Sequence, residues 1–159
     1  MEFTDDDVRF MKMAAQLSEE NIDNGGGPFG AVIVRDGKVL ATGVNRVTAN
    51  NDPTAHAEVM AIRDACAKLG TFSLRGATIY SSCEPCPMCL SALYWAGVEK
   101  IVFGNTQEDA DAIDFSDEFL YKELLKPRTE RSLPCIHMPN DFTILAFRKW
   151  SEKGDKTVY

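Results

Sequence analysis

The spacing of apolar residues in the first third of the chain predicts a helix followed by a β-hairpin. Apolar side chains recur with helical spacing from Val8 to Ile22, after a Thr4–Asp7 pair that resembles a capping box. The glycine-rich segment 24–28 ends this pattern. Two mainly apolar runs within residues 30–45 then flank Asp36-Gly37, a pair that suits the positive φ angles of a type I′ turn.

The middle of the chain alternates between helix and strand. Helices are predicted over residues 55–68 and 86–96, each closed by a glycine, and short strands over 77–82 and 100–104. Because a helix precedes each of these strands, the strands run parallel beside the hairpin, with helices on both faces of the sheet. The predicted fold class is α/β: a three-layer α/β/α sandwich around a mixed sheet.

The pattern weakens in the last third of the chain. It predicts a helix near residues 119–125, a strand over 133–137 and an amphipathic helix near 142–153, followed by a short tail. The total length of 159 residues is that of one ordinary domain. We therefore expect a single domain over residues 1–159.

Composition and charge exclude several classes of protein. Hydrophobic residues make up 45% of the chain, charged residues 26%, and the net charge of -7 argues against strong binding to long nucleic acid. The longest aliphatic run is about four residues, far below the roughly 18 that span a bilayer. The acidic start of the chain has no apolar core of a signal peptide, so we expect a cytoplasmic protein without a membrane partner.

Five cysteines and two histidines provide the candidate chemistry. His56 begins the first crossover helix, while Cys86 and Cys89 lie in the first turn of the second, so their sulfurs project to one side. One imidazole nitrogen and two thiolates suit zinc and leave a fourth tetrahedral position for water. Clustered cysteines in a reducing compartment indicate metal binding or catalysis rather than disulfides.

Glu58 distinguishes a catalytic zinc site from a structural one. A carboxylate beside a zinc-bound water can take its proton, and His-x-Glu followed by Pro-Cys-x-x-Cys is the general signature of zinc nucleobase deaminases. The alternative is a closed structural site with Cys83 as the fourth ligand. That alternative gives Glu58 no task, and we expect Cys83 to be a free thiol.

These motifs make the chain similar to the cytidine-deaminase superfamily, and within it to the small bacterial guanine deaminases. The resemblance runs from about residue 26 to the end of the chain. Its most specific parts are the segments 26–30, 51–58, 82–89, 94–96 and 115–119, together with Asn45 and the terminal Tyr159.

The resemblance implies hydrolysis of guanine to xanthine and ammonia by a cytidine deaminase-like domain. His56, Cys86 and Cys89 would hold one Zn²⁺ per subunit, and Glu58 would be the catalytic proton shuttle. Zinc lowers the pKa of its water towards about 7, which supplies hydroxide at neutral pH. A tRNA adenosine deaminase, or a deaminase of guanosine or an aminated triazine, stays open as the alternative function.

Five further residues are expected to bind a small-molecule purine: Asn45, Phe29, Asp117, Tyr159 and Trp95. Asn45 offers a donor and an acceptor, although it is also an ordinary residue for the end of a strand. Phe29 would stack on the base or belong to the core, and Asp117 would accept from N–H groups or cap a helix.

Tyr159 and Trp95 are expected to act through a dimer. The resemblance implies a homodimer in which the C-terminal tail, about residues 119–159, is swapped between subunits. Tyr159 would then close the pocket, and Trp95 would lie near the subunit contact. Nucleic acid is not expected as a partner.

Overall fold

The computed structural model describes residues 2–159, and it divides into two compact units, one ending at Tyr121 and the other spanning Lys122–Tyr159. In chain order the elements are α1 (Asp5–Asp23), β1 (Gly30–Arg35), β2 (Lys38–Val44), α2 (Val47–Asn50), α3 (Ala57–Leu69), β3 (Thr78–Cys83), α4 (Pro87–Ala96), β4 (Lys100–Asn105), α5 (Gln107–Asp111), α6 (Asp117–Leu125), a 3₁₀ turn (Arg128–Glu130) and α7 (Ile144–Glu152).

The first unit is built on a four-stranded mixed sheet with the order β2-β1-β3-β4. Strand β1 pairs antiparallel with both β2 and β3, and β3 pairs parallel with β4. Strands β2 and β3 therefore run in the same direction, so both crossovers connect parallel strands. The hairpin turn has positive φ at Asp36 and Gly37, as predicted. The predicted α/β fold class is confirmed.

Alternate residues of β1 face two different cores. Ala31 and Ile33 belong to a buried cluster with α3 and α4, whereas Val32 and Val34 belong to a second cluster with Phe10 of α1. This alternation is the two-residue period of a strand that is covered on both faces. The first unit therefore has three layers, with α1 on one face of the sheet and α3 and α4 on the other.

Helix α3 lies unusually close to β2 at its first turn. A Cβ atom at Gly43 would lie 2.1 Å from the carbonyl oxygen of Ala57 and 2.5 Å from the backbone nitrogen of Ala61. Both neighbours are backbone atoms, which cannot rotate away as a flexible side chain would. Gly43 is thus required for the close approach that sets the start of α3 against the sheet.

Asp7 joins the start of α1 to the sheet. It accepts hydrogen bonds from the Thr4 backbone N–H (2.9 Å), the Tyr80 hydroxyl (2.7 Å) and Lys100 Nζ (3.2 Å). These donors, the Thr4 backbone foremost, hold the pKa of Asp7 well below its usual range. The predicted Thr4–Asp7 capping box is present.

The second unit contains the predicted amphipathic helix but not the predicted strand. Residues 133–137 have no regular structure, and the prediction of a strand there is wrong. Pro134 lacks a backbone N–H for a ladder, and Leu133 and Ile136 are exposed. Within residues 2–159 no helix combines the length and the apolar character that crossing a membrane requires.

Candidate active site

A hydrogen-bonded loop places His56 at the start of α3. Asp52 Oδ1 accepts from the backbone N–H (2.8 Å) and hydroxyl (2.7 Å) of Thr54, and the His56 N–H donates to the Thr54 carbonyl (2.8 Å). Arg63 adds an ion pair to Asp52 at 3.3 Å. His56 is the N-cap residue with extended backbone angles, so α3 begins two residues later than the sequence predicts.

Helix α4 brings two thiols to the same point. Cys86 is its N-cap residue, and Cys89 lies in its first turn. The Sγ atoms of Cys86 and Cys89 lie 3.6 and 3.5 Å from His56 Nδ1. A tetrahedral zinc ion with ordinary Zn–N and Zn–S bonds separates nitrogen from sulfur by roughly 3.6 Å. The donor set therefore fits zinc, with Nδ1 as the imidazole ligand atom.

Cys86 is the more acidic of the two cysteines, whereas the hydrogen bond to Cys86 and burial raise the pKa of Cys89. Hydrogen bonding from Cys89, followed by that from His56, holds the pKa of the Cys86 thiol well below its usual range. The backbone N–H groups at the start of α4 favour negative charge at the same place. A thiolate is the form in which cysteine binds a metal.

Cys83 is outside the group of potential metal ligands. Among residues 2–159, the cluster comprises His56, Cys86 and Cys89, with their donor atoms within 4.8 Å of one another. The Cys83 thiol instead donates to the Thr106 carbonyl at 3.6 Å, and burial raises its pKa to about 11. A closed site with four protein ligands has no support in this geometry.

Glu58 follows His56 by two residues and is buried. Its Oε1 atom accepts a hydrogen bond from Ser81 Oγ at 2.9 Å, and burial raises the pKa of its carboxyl group. Ser81 is not among the site residues predicted from the sequence. A signal for it was present, since two adjacent serines interrupt the otherwise apolar core of β3.

A cavity of about 380 Å³ opens beside these groups, within the range typical of small-molecule sites. Six predicted site residues line it. They are Phe29, Asn45, His56, Glu58, Cys86 and Asp117. Trp95, on α4, does not line this cavity and is 72% exposed. Tyr159 is an exposed residue of the second unit, and its role stays a prediction.

Asn45 presents a donor to the cavity. Its Oδ1 atom accepts from the backbone N–H groups of Val47 (3.3 Å) and Gly27 (3.5 Å). Within the described chain its Nδ2 group donates no hydrogen bond to protein. The side-chain N–H groups of Asn45 are therefore the atoms left to a ligand.

Two aromatic rings and a carboxyl group form another part of the wall. The rings of Phe29 and Phe115 meet edge to face, with centroids 4.8 Å apart. Asp117 is half-buried, and burial raises the pKa of its carboxyl group. Because α6 begins at Asp117, this residue belongs to the first turn of the helix. The sequence analysis included Phe115 in a motif but gave it no role.

Residues 4–105 match the family described as the cytidine and deoxycytidylate deaminase zinc-binding region. All three clustered ligands and Glu58 lie inside this matched segment. Asp117 and the second unit lie outside it, so the family match alone does not bear on the last third of the chain.

Two other proteins are similar to this chain over more of its length than that segment. The chain is 46% identical to the guanine deaminase of Bacillus subtilis over 94% of this chain and 97% of that protein. The crystal structure of that enzyme superposes with a TM-score of 0.93, covering 96% of this chain and 98% of that chain. A second solved chain, in complex with 2,6-diaminopurine, gives a TM-score of 0.68 at 33% identity over 74% of this chain and 65% of that chain.

Similarity to RNA-modifying enzymes has lower identity. The tRNA-specific adenosine deaminase of Agrobacterium fabrum is 34% identical over 87% of this chain and 85% of that protein. The tRNA-specific adenosine deaminase of Aquifex aeolicus is 40% identical over 59% of this chain and 62% of that protein.

Proposed function

The chain belongs to the cytidine and deoxycytidylate deaminase family, and on that basis we propose that it is a zinc-dependent enzyme that hydrolyses guanine to xanthine and ammonia. The observation that carries this proposal is the 46% identity to a guanine deaminase over nearly the whole length of both chains. That similarity includes Asp117 and the second unit, which the family segment omits. The cavity beside the cluster of His56, Cys86 and Cys89 gives the activity a site.

We infer that His56, Cys86 and Cys89 hold one zinc ion in each subunit. The nitrogen–sulfur distances of 3.5 and 3.6 Å and the low pKa of the Cys86 thiol support this assignment. When bound, zinc supplies a water molecule acidified towards a pKa of about 7, and thus a nucleophile at neutral pH.

Glu58 is the proposed proton shuttle. It takes a proton from the attacking water, delivers it to a ring nitrogen of the base, and then assists departure of the amino group as ammonia. Burial raises its pKa, which makes the protonated carboxylic acid easier to populate than at an exposed position. The hydrogen bond from Ser81 to Oε1 holds the carboxyl group in place.

The remaining cavity residues have the chemistry to bind a purine. The Nδ2 group of Asn45 would donate to a ring nitrogen or carbonyl oxygen, and Asp117 would accept from N–H groups of the base. Phe29 and Phe115 offer aromatic surface to its faces. We propose that Tyr159 and Trp95 complete the pocket in the assembled enzyme.

Adenosine in tRNA is the second candidate substrate. The same chemistry serves both reactions, but identity to the guanine deaminase is 46% over 94% of this chain, against 40% over 59% and 34% over 87% for two tRNA deaminases. Affinity for RNA depends largely on basic side chains, and the net charge here is -7. Guanosine and aminated triazines would bind in the same pocket. Activity assays with each compound distinguish them from guanine as the substrate.

We propose a homodimer in which the tail, about residues 119–159, is swapped between subunits. The division of the chain after Tyr121 supports a separable C-terminal unit. Helix α7 also exposes a row of large apolar side chains that a second copy would cover: Ile144, Leu145, Phe147 and Trp150. A cytoplasmic location agrees with five cysteines that are all unpaired.

A substrate panel tests the proposed function. The purified, zinc-loaded protein is offered guanine, guanosine, adenine, cytosine, cytidine and a tRNA anticodon stem, with ammonia release as the common readout. We expect turnover of guanine, seen also as the absorbance change to xanthine. A Glu58→Ala variant should keep its zinc and lose activity. Absence of guanine turnover by protein that carries zinc would refute the proposal.

A deletion of Tyr159 is tested with the same panel. If the terminal residue closes the pocket, guanine turnover falls while zinc content is unchanged. An unaltered rate would remove Tyr159 from the site without affecting the assignment of the zinc ligands.

A further inference from the structure

One wall of the cavity comes from the connection between α5 and α6. Phe115, in this connection, and Asp117, the first residue of α6, line the cavity, and the connection includes the left-handed residue Asp114 at φ 67°. The Phe115 N–H donates to the Ala110 carbonyl, and the Asp117 N–H donates to the Phe115 carbonyl. These local bonds define the shape of the connection. They do not determine its distance from the metal-binding loop, the segment between β3 and α4 that contains Pro85 and Cys86.

A hydrogen bond from Tyr121 joins α6 to the metal-binding loop. Tyr121 lies in α6, is half-buried, and its hydroxyl donates to the Pro85 carbonyl at 2.8 Å. Pro85 directly precedes Cys86, a proposed zinc ligand. Residues four apart in a helix share one face, so Tyr121 and Asp117 lie on the same side of α6. The bond therefore connects the helix that carries Asp117 to the loop that carries Cys86.

We propose that Tyr121 is a positioning residue for the substrate: its hydrogen bond to the Pro85 carbonyl sets the position of Asp117, and of the adjacent Phe115, relative to the metal-binding loop. This inference rests on the proposed function, because it assigns Asp117 to the base. Tyr121 does not contact the substrate and acts through the position of Asp117.

Asp117 lines the same cavity as His56 and Cys86. A small displacement of α6 would change where the carboxyl group meets a bound base, and errors of about 1 Å at such positions are costly.

The first test is a Tyr121→Phe substitution, which keeps the ring and removes the hydroxyl. The net contribution of one hydrogen bond corresponds to a roughly 2- to 13-fold rise in KM for guanine. We expect little change in kcat and no change in zinc content. A fall in kcat with loss of zinc would overturn the inference, because Tyr121 would then serve the metal loop itself.

Tyr80→Phe is the matched control. Tyr80 also donates from a buried hydroxyl, but its partner is Asp7 in the core between α1 and the sheet. This variant also loses a tyrosine hydroxyl hydrogen bond, here a stronger one to a carboxylate, and should lose stability without a change in KM. An equal rise in KM for both variants would indicate a general effect on stability and would overturn the inference.

A double-mutant cycle shows whether Tyr121 acts through Asp117. The cycle is measured as dissociation constants for guanine in a Glu58→Gln background, where turnover is blocked. Tyr121→Phe and Asp117→Asn should each weaken binding, and the combination should weaken it by less than the product of the two separate effects. Multiplicative effects of the two substitutions would refute the positioning role.

Amide hydrogen exchange provides a test that does not depend on the substrate. Tyr121→Phe should speed exchange in the peptide that covers residues 110–118, and Tyr80→Phe should not. Unchanged exchange in that peptide overturns the inference whichever substrate the enzyme uses. If the wild-type protein fails to deaminate guanine while this exchange result holds, the proposed function fails and the positioning role of Tyr121 stands.

Discussion

A single methyl group at Gly43 should disturb the metal site without touching it. The position is in β2, and its φ angle lies outside the left-handed region, so alanine is allowed by backbone conformation. The added Cβ would lie 2.1 Å from the Ala57 carbonyl oxygen, whereas ordinary contact begins at 3.4 Å. Relief of this contact requires a movement of about 1.3 Å between β2 and the first turn of α3.

That movement would be transmitted to the zinc ligands, because His56 directly precedes the first turn of α3. Zinc sites tolerate changes of about 0.2 Å in ligand distance, several times less than the expected displacement. Overpacking of a core costs about 1–3 kcal/mol, equivalent to roughly 2–12 °C in Tm for a protein of this size. We expect zinc affinity to fall about 10- to 100-fold, the loss typical of removing support from a ligand.

The assay compares Gly43→Ala with Gly37→Ala. Gly37 has φ 71° and no atom within 4 Å of an added Cβ, so alanine there strains the hairpin turn and leaves α3 in place. Both variants should lower Tm, but zinc affinity, measured by competition with a chelator, should fall for Gly43→Ala alone. Wild-type zinc affinity in a destabilised Gly43→Ala protein would refute the proposed coupling between the sheet and the metal site.

Three further outcomes follow from contacts near the site and in the second unit. Ser81→Ala should lower kcat roughly 10- to 150-fold, the equivalent of a hydrogen bond to a charged group, with KM and zinc content unchanged. Ser82→Ala is its control, since that hydroxyl accepts from Gly30 N–H at 3.0 Å and its loss should affect stability alone. Cys83→Ala should retain one zinc ion, and after cobalt substitution it should show the absorption of two thiolate ligands. A loss of metal would instead support the site with Cys83 as a fourth ligand. Glu123 has its pKa lowered from 4.5 to about 2 by Lys126 and Ser132, so its contribution to stability is present above pH 4.5 and is lost as the pH falls towards 2. Glu123→Gln should therefore flatten the decline in unfolding free energy over that interval, as measured by urea denaturation.

The main elements of the first unit were predictable because their signals are local. The Thr4–Asp7 pair, the Asp36-Gly37 turn and the glycines that end α3 and α4 each specify one backbone conformation. The resemblance to the deaminase family is likewise confirmed. Its motif predicted the cluster of His56 with two cysteines because helix starts at one edge of a sheet lie side by side.

Other features depend on contacts that spacing does not encode. Ser81 meets Glu58 only because β3 and α3 pack together, and Phe115 meets Phe29 across 86 positions of chain. The short helices α2 and α5 have too few residues to show a period. In the second unit, a strand was predicted over residues 133–137, but this segment has no regular structure and pairs with none of the four strands described within residues 2–159.

The site combines two requirements that the fold meets in different ways. Metal binding needs His56, Cys86 and Cys89 held to a few tenths of an ångström, and these residues stand at the starts of helices that pack directly on the sheet. Base recognition needs groups specific to one substrate, and the proposed recognition residue Asp117 begins a helix that Tyr121 joins to the Pro85 carbonyl. On this proposal, substrate specificity changes through that helix while the zinc chemistry stays the same, which agrees with the similarity of this chain to both guanine and tRNA deaminases.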